Sequence, residues 1–311
     1  MIYPSFFENK NSLNLFGLER ELNFLISLRL KKKLPKVIML TGNKGSGKST
    51  LVNHFFYSIF DEKNYDNETL KLCEDSALYK QFKNDIFPNI VYMKGSDFHS
   101  INIEDVRNLK KKIFQSSIST KDRFIVFDDV EQFNVNSLNA MLKIIEEPSN
   151  QNYFFLINNK SKPLLETIKS RCLEIKIMLN DEKRLEIIEK LTNYLNIDQF
   201  LNPLISQLSP GNYLKFNHIC IEYSISLKNN LIENLSLLLN LYKKNKNKLF
   251  IDLAFFITDS YFKDPQIRNI YKNEKVYEFK NFIFRNLNSF LMYNLNHNTF
   301  INAIDNKLKY D

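Results

Sequence analysis

Apolar residues fall into two rhythms along the chain. In the first half, five short runs read as strands: Val37–Thr41, Ile90–Met93, Phe124–Asp128, Tyr153–Ile157 and Leu173–Ile177. Four of these are unbroken, the pattern of strands covered on both faces in a parallel sheet, whereas Leu173–Ile177 alternates and suits an edge. Helical patterns lie between them. Ile103–Phe114 carries Ile103, Val106, Leu109 and Ile113 behind Asn102 as a candidate N-cap. Val135–Ile145 gathers Val135, Leu138, Met141, Leu142 and Ile145 on one face and stops before Pro148. Strands alternating with helices predict an α/β domain with right-handed crossovers.

After Ile177 the strand rhythm ends. Asp181–Leu195 reads as an amphipathic helix with Leu185, Ile188 and either Leu191 or Leu195 inward. Pro203 and Pro210-Gly211 read as punctuation, and from about Leu227 the pattern is helical, with apolar faces such as Leu253, Phe256, Ile257 and Tyr261. A chain of 311 residues with 44% apolar content is long enough for two or three domains with real cores. The expected division is 1–178 for the α/β domain, 179–226 for a small helical domain and 227–311 for an all-α C-terminal domain.

Composition narrows the chemistry. The formal charge of +8 invites a nucleic-acid reading. The abundance of Lys, Asn, Ile, Phe and Tyr with no Trp points instead to AT-biased coding. The runs Lys31–Lys33, Lys110–Lys112 and Lys243–Lys248 then read as solvated surface, the last as an exposed loop. Cys73, Cys172 and Cys220 form no CxxC pair, and neither they nor His54, His99, His218 and His297 have ligand-like spacing, so no zinc site is expected. Met1-Ile-Tyr-Pro opens no signal peptide, and no run is long enough to span a bilayer, so a cytoplasmic protein without membrane contact is expected.

The strongest motif is Gly42-Asn43-Lys44-Gly45-Ser46-Gly47-Lys48-Ser49-Thr50, which satisfies GxxxxGK[ST] between a predicted strand and the helical run Leu51–Phe60. Three of the six glycines in the chain stand inside it, so composition does not explain their presence. Glycines there allow backbone N–H groups to wrap phosphates, Lys48 reaches the terminal phosphates, and Ser49 supplies a Mg²⁺ ligand at a helix N-terminus. ATP with Mg²⁺ is the implied cofactor. Phe124–Phe127 then ends in Asp128-Asp129, a Walker B pattern in which Asp128 holds the magnesium. Asp129 stands where the base that orients the attacking water belongs. Most such ATPases carry Glu there, and the missing methylene leaves the Asp carboxylate more than about an ångström short, a misplacement that can cost about a hundredfold in rate. Binding without efficient hydrolysis is therefore expected.

Further motifs narrow the class. Leu138-Asn-Ala-Met-Leu-Lys143-Ile-Ile-Glu146-Glu147-Pro148 resembles the NALLKxLEEP helix of bacterial clamp-loader subunits. Phe154–Asn159 with Thr167-Ile-Lys-Ser170-Arg171-Cys172 is similar to that family's sensor-1 strand and SRC motif. Leu15-Phe-Gly17 with Leu34-Pro35 is similar to its opening segment, and Asn294–Asn296 to its last collar helix. The resemblance is dense over about 13–177 and thin beyond. It implies an AAA+ P-loop domain with a parallel five-stranded sheet, a helical lid and a helical collar. Asp-Asp rather than Asp-Glu, no zinc module and a length near 300 residues resemble the delta-prime branch rather than gamma/tau.

That branch is a fixed member of a hetero-pentamer with gamma/tau and delta subunits, which loads the sliding clamp onto primed DNA for DNA polymerase III. The resemblance assigns Arg171 as an arginine finger offered to a neighbouring ATPase and Asn158 or Asn159 as sensor 1. Only Lys215 stands near the sensor-2 position. The implied activity of the chain alone is weak ATPase or none. A catalytically active gamma-type ATPase and a scaffold that binds no ATP are the alternatives.

Overall fold

The computed structural model describes residues 12–84, 86–95, 122–148, 151–227, 230–270, 273–293 and 296–310. The predicted helix Ile103–Phe114, the run Lys110–Lys112, His99 and most of Asn294–Asn296 lie outside the described residues. The described chain packs as two units, Met1–Ile197 with Gln207–Leu214, and Asp198–Ser206 with Lys215–Asp311.

The first unit is built on a sheet of five parallel strands: β1 (Val37–Thr41), β4 (Ile90–Lys94), β5 (Arg123–Asp128), β6 (Asn152–Asn158) and β7 (Leu173–Lys176). Their order is β4-β5-β6-β1-β7. β1, β5 and β6 are buried along almost their whole length, as unbroken apolar runs require when helices cover both faces. β7 alternates half-buried and exposed residues and lies at an edge, as its pattern predicts. β4 departs from expectation. Its apolar run lies at the opposite edge, and Val91, Tyr92 and Met93 are only half-buried, because an edge strand has a neighbour on one side alone.

Helix α1 (Glu19–Leu30), helix α2 (Lys48–Phe60), the short hairpin β2 (Tyr65–Asp66) and β3 (Lys71–Leu72), and helix α3 (Ala77–Lys83) cover one face. Phe55, Phe56, Phe124 and Phe155 meet there in edge-on and tilted contacts of 5.0–6.2 Å. α4 (Val135–Glu146) and α5 (Glu166–Lys169) cover the other face over Met39, Phe127, Phe154 and Leu156. Asn134 caps α4 by accepting from the Ser137 N–H at 2.8 Å. Val135, read as inward, is 63% exposed, because the buried face of α4 is Leu138, Met141, Ile144 and Ile145.

α6 (Asp181–Leu195) matches the predicted span, capped by Asn180, but its inward face is turned. Arg184, Ile187, Ile188 and Thr192 are buried, whereas Leu185, Leu191 and Leu195 are half-buried. Arg184 is tolerated inside because its Nε pairs with Asp181 at 3.2 Å and its Nη1 donates to the Leu208 carbonyl at 3.3 Å.

The second unit is helical. α7 (Pro203–Ser206), the later part of α8 (Pro210–Glu222), α9 (Leu231–Asn245), α10 (Leu249–Lys263), α11 (Pro265–Ile270), α12 (Asn273–Tyr293) and α13 (His297–Tyr310) make it up. The prolines read as punctuation open α7 and α8, where a missing N–H costs nothing. α9 packs on α10 and α13, and α10 on α12, through Leu235, Leu238, Leu239, Leu253, Ile257, Ile283 and Phe290. Lys243 and Lys244 belong to the last turn of α9 rather than to a loop, and the helix ends at Lys246 in the left-handed region. Among the described residues no helix is long and apolar enough to cross a membrane.

Candidate nucleotide site

The loop between β1 and α2 is cup-shaped because its glycines take backbone conformations that other residues rarely adopt. Gly45 and Gly47 have φ of 82° and 89°. A side chain at Gly42 would lie 2.5 Å from the Ile177 carbonyl oxygen. Successive N–H groups at a helix N-terminus form a concave site for an anion. Asn43 and Lys44 are exposed, Ser46 is buried, and Ser49 and Thr50 are half-buried.

Lys48 is 3% exposed and its three ammonium hydrogens find acceptors inside the loop: Gly42 O at 2.9 Å, Asn43 O at 2.7 Å and Ser46 Oγ at 3.3 Å. Burial pulls its pKa down to about 8, against the charges of Asp128, Glu131 and Asp129 that favour the ammonium. Asp128 is pushed up to about 6, first by burial and then by the Asp129 charge, while the Asp129 N–H and the Ser49 hydroxyl oppose the rise. Near neutral pH both groups remain largely charged.

Ser49 Oγ donates to Asp128 Oδ2 at 3.2 Å, which joins the two motifs across α2 and β5. A hydroxyl and a carboxylate side by side are the hard oxygen donors that Mg²⁺ takes. Asp129 follows in the left-handed region with φ of 54°. Its carboxylate accepts from Asn159 Nδ2 at 2.5 Å. Asn158 turns elsewhere: its Oδ1 accepts from the Lys160 N–H at 3.0 Å, and its carbonyl accepts from the Gly42 N–H at 3.1 Å. Of the two asparagines, Asn159 is the one that meets the Walker B end.

Two features escaped the sequence reading. Glu131 is 4% exposed and accepts from the Asn159 N–H at 3.1 Å and from Ser161 Oγ at 2.7 Å, fixing the turn after β6 against the turn after β5. No motif announces it. The second is a clasp on the loop tip. Ser209 Oγ donates to the Lys44 carbonyl at 2.5 Å, and the Gly211 N–H donates to the Gly45 carbonyl at 2.8 Å. A Cβ at Gly211 would stand 3.0 Å from that carbonyl, so Pro210-Gly211 is a tight backbone approach.

Arg171 lies apart from this cluster, at the turn between α5 and β7. Its Nη2 pairs with Glu146 Oε1 at 2.8 Å, and its Nη1 donates to the Thr167 carbonyl at 2.8 Å. Among the described residues no group of His, Cys, Asp and Glu is arranged to hold a metal by itself.

A parallel sheet that places β6 between the P-loop strand and the Walker B strand, with helices on both faces, defines a P-loop α/β protein. The chain belongs to the family described as "DNA polymerase III, delta subunit", which matches residues 18–181. It is 28% identical over 162 residues to "DNA polymerase III subunit delta'" of Buchnera aphidicola subsp. Acyrthosiphon pisum (strain APS), covering 52% of this chain and 49% of that protein. It is 28% identical over 187 residues to the protein of the same name from Buchnera aphidicola subsp. Schizaphis graminum (strain Sg), covering 60% and 56%. The likeness to "DNA polymerase III subunit gamma" of the latter strain is 23% over 232 residues, covering 72% and 61%. The chain thus spans about half the length of the delta' proteins it matches.

Proposed function

We propose that this chain is a delta-prime-type subunit of a DNA polymerase III clamp loader that holds ATP with Mg²⁺ and turns it over slowly. It lends Arg171 to a neighbouring gamma-type ATPase. The observation that carries the reading is an intact cup beside a weakened base. Lys48, Ser49 and Asp128 stand together, while the base position holds Asp129, the shorter residue, with its carboxylate engaged by Asn159. Residues 42–50 would wrap the phosphates, and Ser49 and Asp128 would hold the Mg²⁺. The bound ion would neutralise charge on the terminal phosphates. Asn158, facing its own turn, would shape the site rather than touch the nucleotide.

In this reading 1–178 is the AAA+ domain, 179–226 the lid and 227–311 the collar that joins gamma/tau and delta subunits. Lid residues Ser209 and Gly211 already touch the loop tip. Opening the sliding clamp and placing it on primed DNA, in the cytoplasm, would be the work of the whole assembly. The intact Ser49–Asp128 pair favours a second reading, an active gamma-type ATPase.

The test is co-purification from the native cell, followed by ATP turnover of the recovered complex. Recovery with gamma- and delta-type subunits is expected, with turnover falling about a thousandfold in Arg171→Ala. A lone monomer at mild salt would overturn the assignment.

A further inference from the structure

Arg171 is held rather than free. Its Nη1 is committed to the turn it sits on, through Thr167 O at 2.8 Å and Ser170 Oγ at 3.4 Å. Its Nη2 pairs at 2.8 Å with Oε1 of Glu146, the last residue of α4. Each guanidinium presents five N–H donors, so these contacts leave Nε–H and the second Nη2 hydrogen for another acceptor.

The two side chains are 40% and 43% exposed. An ion pair in that much solvent contributes little to the stability of a fold. Arginine, however, carries large rotamer freedom, and fixing its planar fork in advance removes that freedom before a ligand arrives. The consequence of the pair therefore falls on where the guanidinium points. The backbone contacts to Thr167 anchor one end of the fork but leave rotation about the side-chain axis. Glu146 supplies the second point that sets the plane.

We propose that Glu146 is a positioning residue for Arg171, its carboxylate orienting the guanidinium so that the remaining N–H groups meet the terminal phosphate of a nucleotide on the adjacent subunit. This rests on the reading of Arg171 as a finger offered in trans. Glu146 itself touches no phosphate. It stands at the end of a helix that starts just past Asp128-Asp129, on the rigid frame of the first unit.

The test uses the assembled complex carrying this chain as wild type, Arg171→Ala, Glu146→Ala or Glu146→Gln. Clamp- and DNA-stimulated ATP turnover is measured with kcat and KM separated, alongside the unfolding midpoint of the isolated chain. Glu146→Ala is expected to lower kcat by roughly one to two orders of magnitude, with KM for ATP and the midpoint unchanged. Glu146→Gln, which keeps an oxygen acceptor in place, is expected to restore most of the rate. If both Glu146 variants raise kcat, the carboxylate is a brake and the proposal is wrong. If both leave it unchanged while Arg171→Ala is slow, positioning is refuted and the finger stands. If Arg171→Ala is itself as fast as wild type, the finger reading fails first and takes this inference with it.

Discussion

The cup and the Arg171 edge belong to one unit and are built by opposite rules. In the cup, charges are taken out of water: Lys48, Asp128 and Glu131 are all nearly buried, and each is hydrogen-bonded by its neighbours. At the edge, Arg171 and Glu146 stay half in solvent. A desolvated charge depends strongly on its partners, whereas a wet ion pair adds little to the stability of the fold. On the proposed function, the contrast would separate a site that keeps a ligand from a side chain that is lent.

Replacing Lys48 tests the contrast with the largest expected effect. The pKa of Lys48 in the fold, about 8, lies below its ordinary value of 10.5. A base depressed in this way weakens the fold at low pH, and the penalty disappears as pH rises through 8 to 10.5. Lys48→Met should remove nucleotide affinity, and the wild-type chain should gain stability relative to it as pH rises from 8 to 10.5. Denaturant midpoints at pH 7 and pH 10 check this, the wild-type midpoint rising relative to that of the variant at the higher pH.

Asp129→Glu comes next. It restores the missing methylene and should raise ATP turnover by up to about a hundredfold, read by phosphate release in the assembly. An unchanged rate would place the limitation elsewhere, for example in the sensor-2 region around Lys215. The smallest effect on stability is expected at the edge: Arg171→Ala should shift it by less than about 1 kcal/mol. A larger loss in the unfolding midpoint would make Arg171 a structural residue rather than a lent one.

Much of the first unit was legible because buried parallel strands write themselves as unbroken apolar runs. β1 matches its predicted span, and β5 and β6 extend theirs by one residue or one at each end. Part of what escaped detection shares one physical cause: apolar periodicity is blind to a buried charge that finds a partner. Arg184 turns the inward face of α6, and Glu131 ties two turns together, yet neither carries an apolar signal. α1 was missed because its apolar residues bury only Leu22 and Leu25. The hairpin β2–β3 was missed because two-residue strands carry no rhythm. Within the site, the glycine loop and Asp128-Asp129 announced themselves. The division of labour between Asn158 and Asn159 did not, since adjacent identical residues differ only in which way the chain turns after β6.

On the proposed reading the cup holds a triphosphate and consumes it only slowly. This claim is tested most directly by incubating the isolated chain with ATP and Mg²⁺, removing free nucleotide and identifying what stays bound. ATP recovered intact, and absent from Lys48→Met, is the expected result. ADP in its place, or no nucleotide at all, would contradict it.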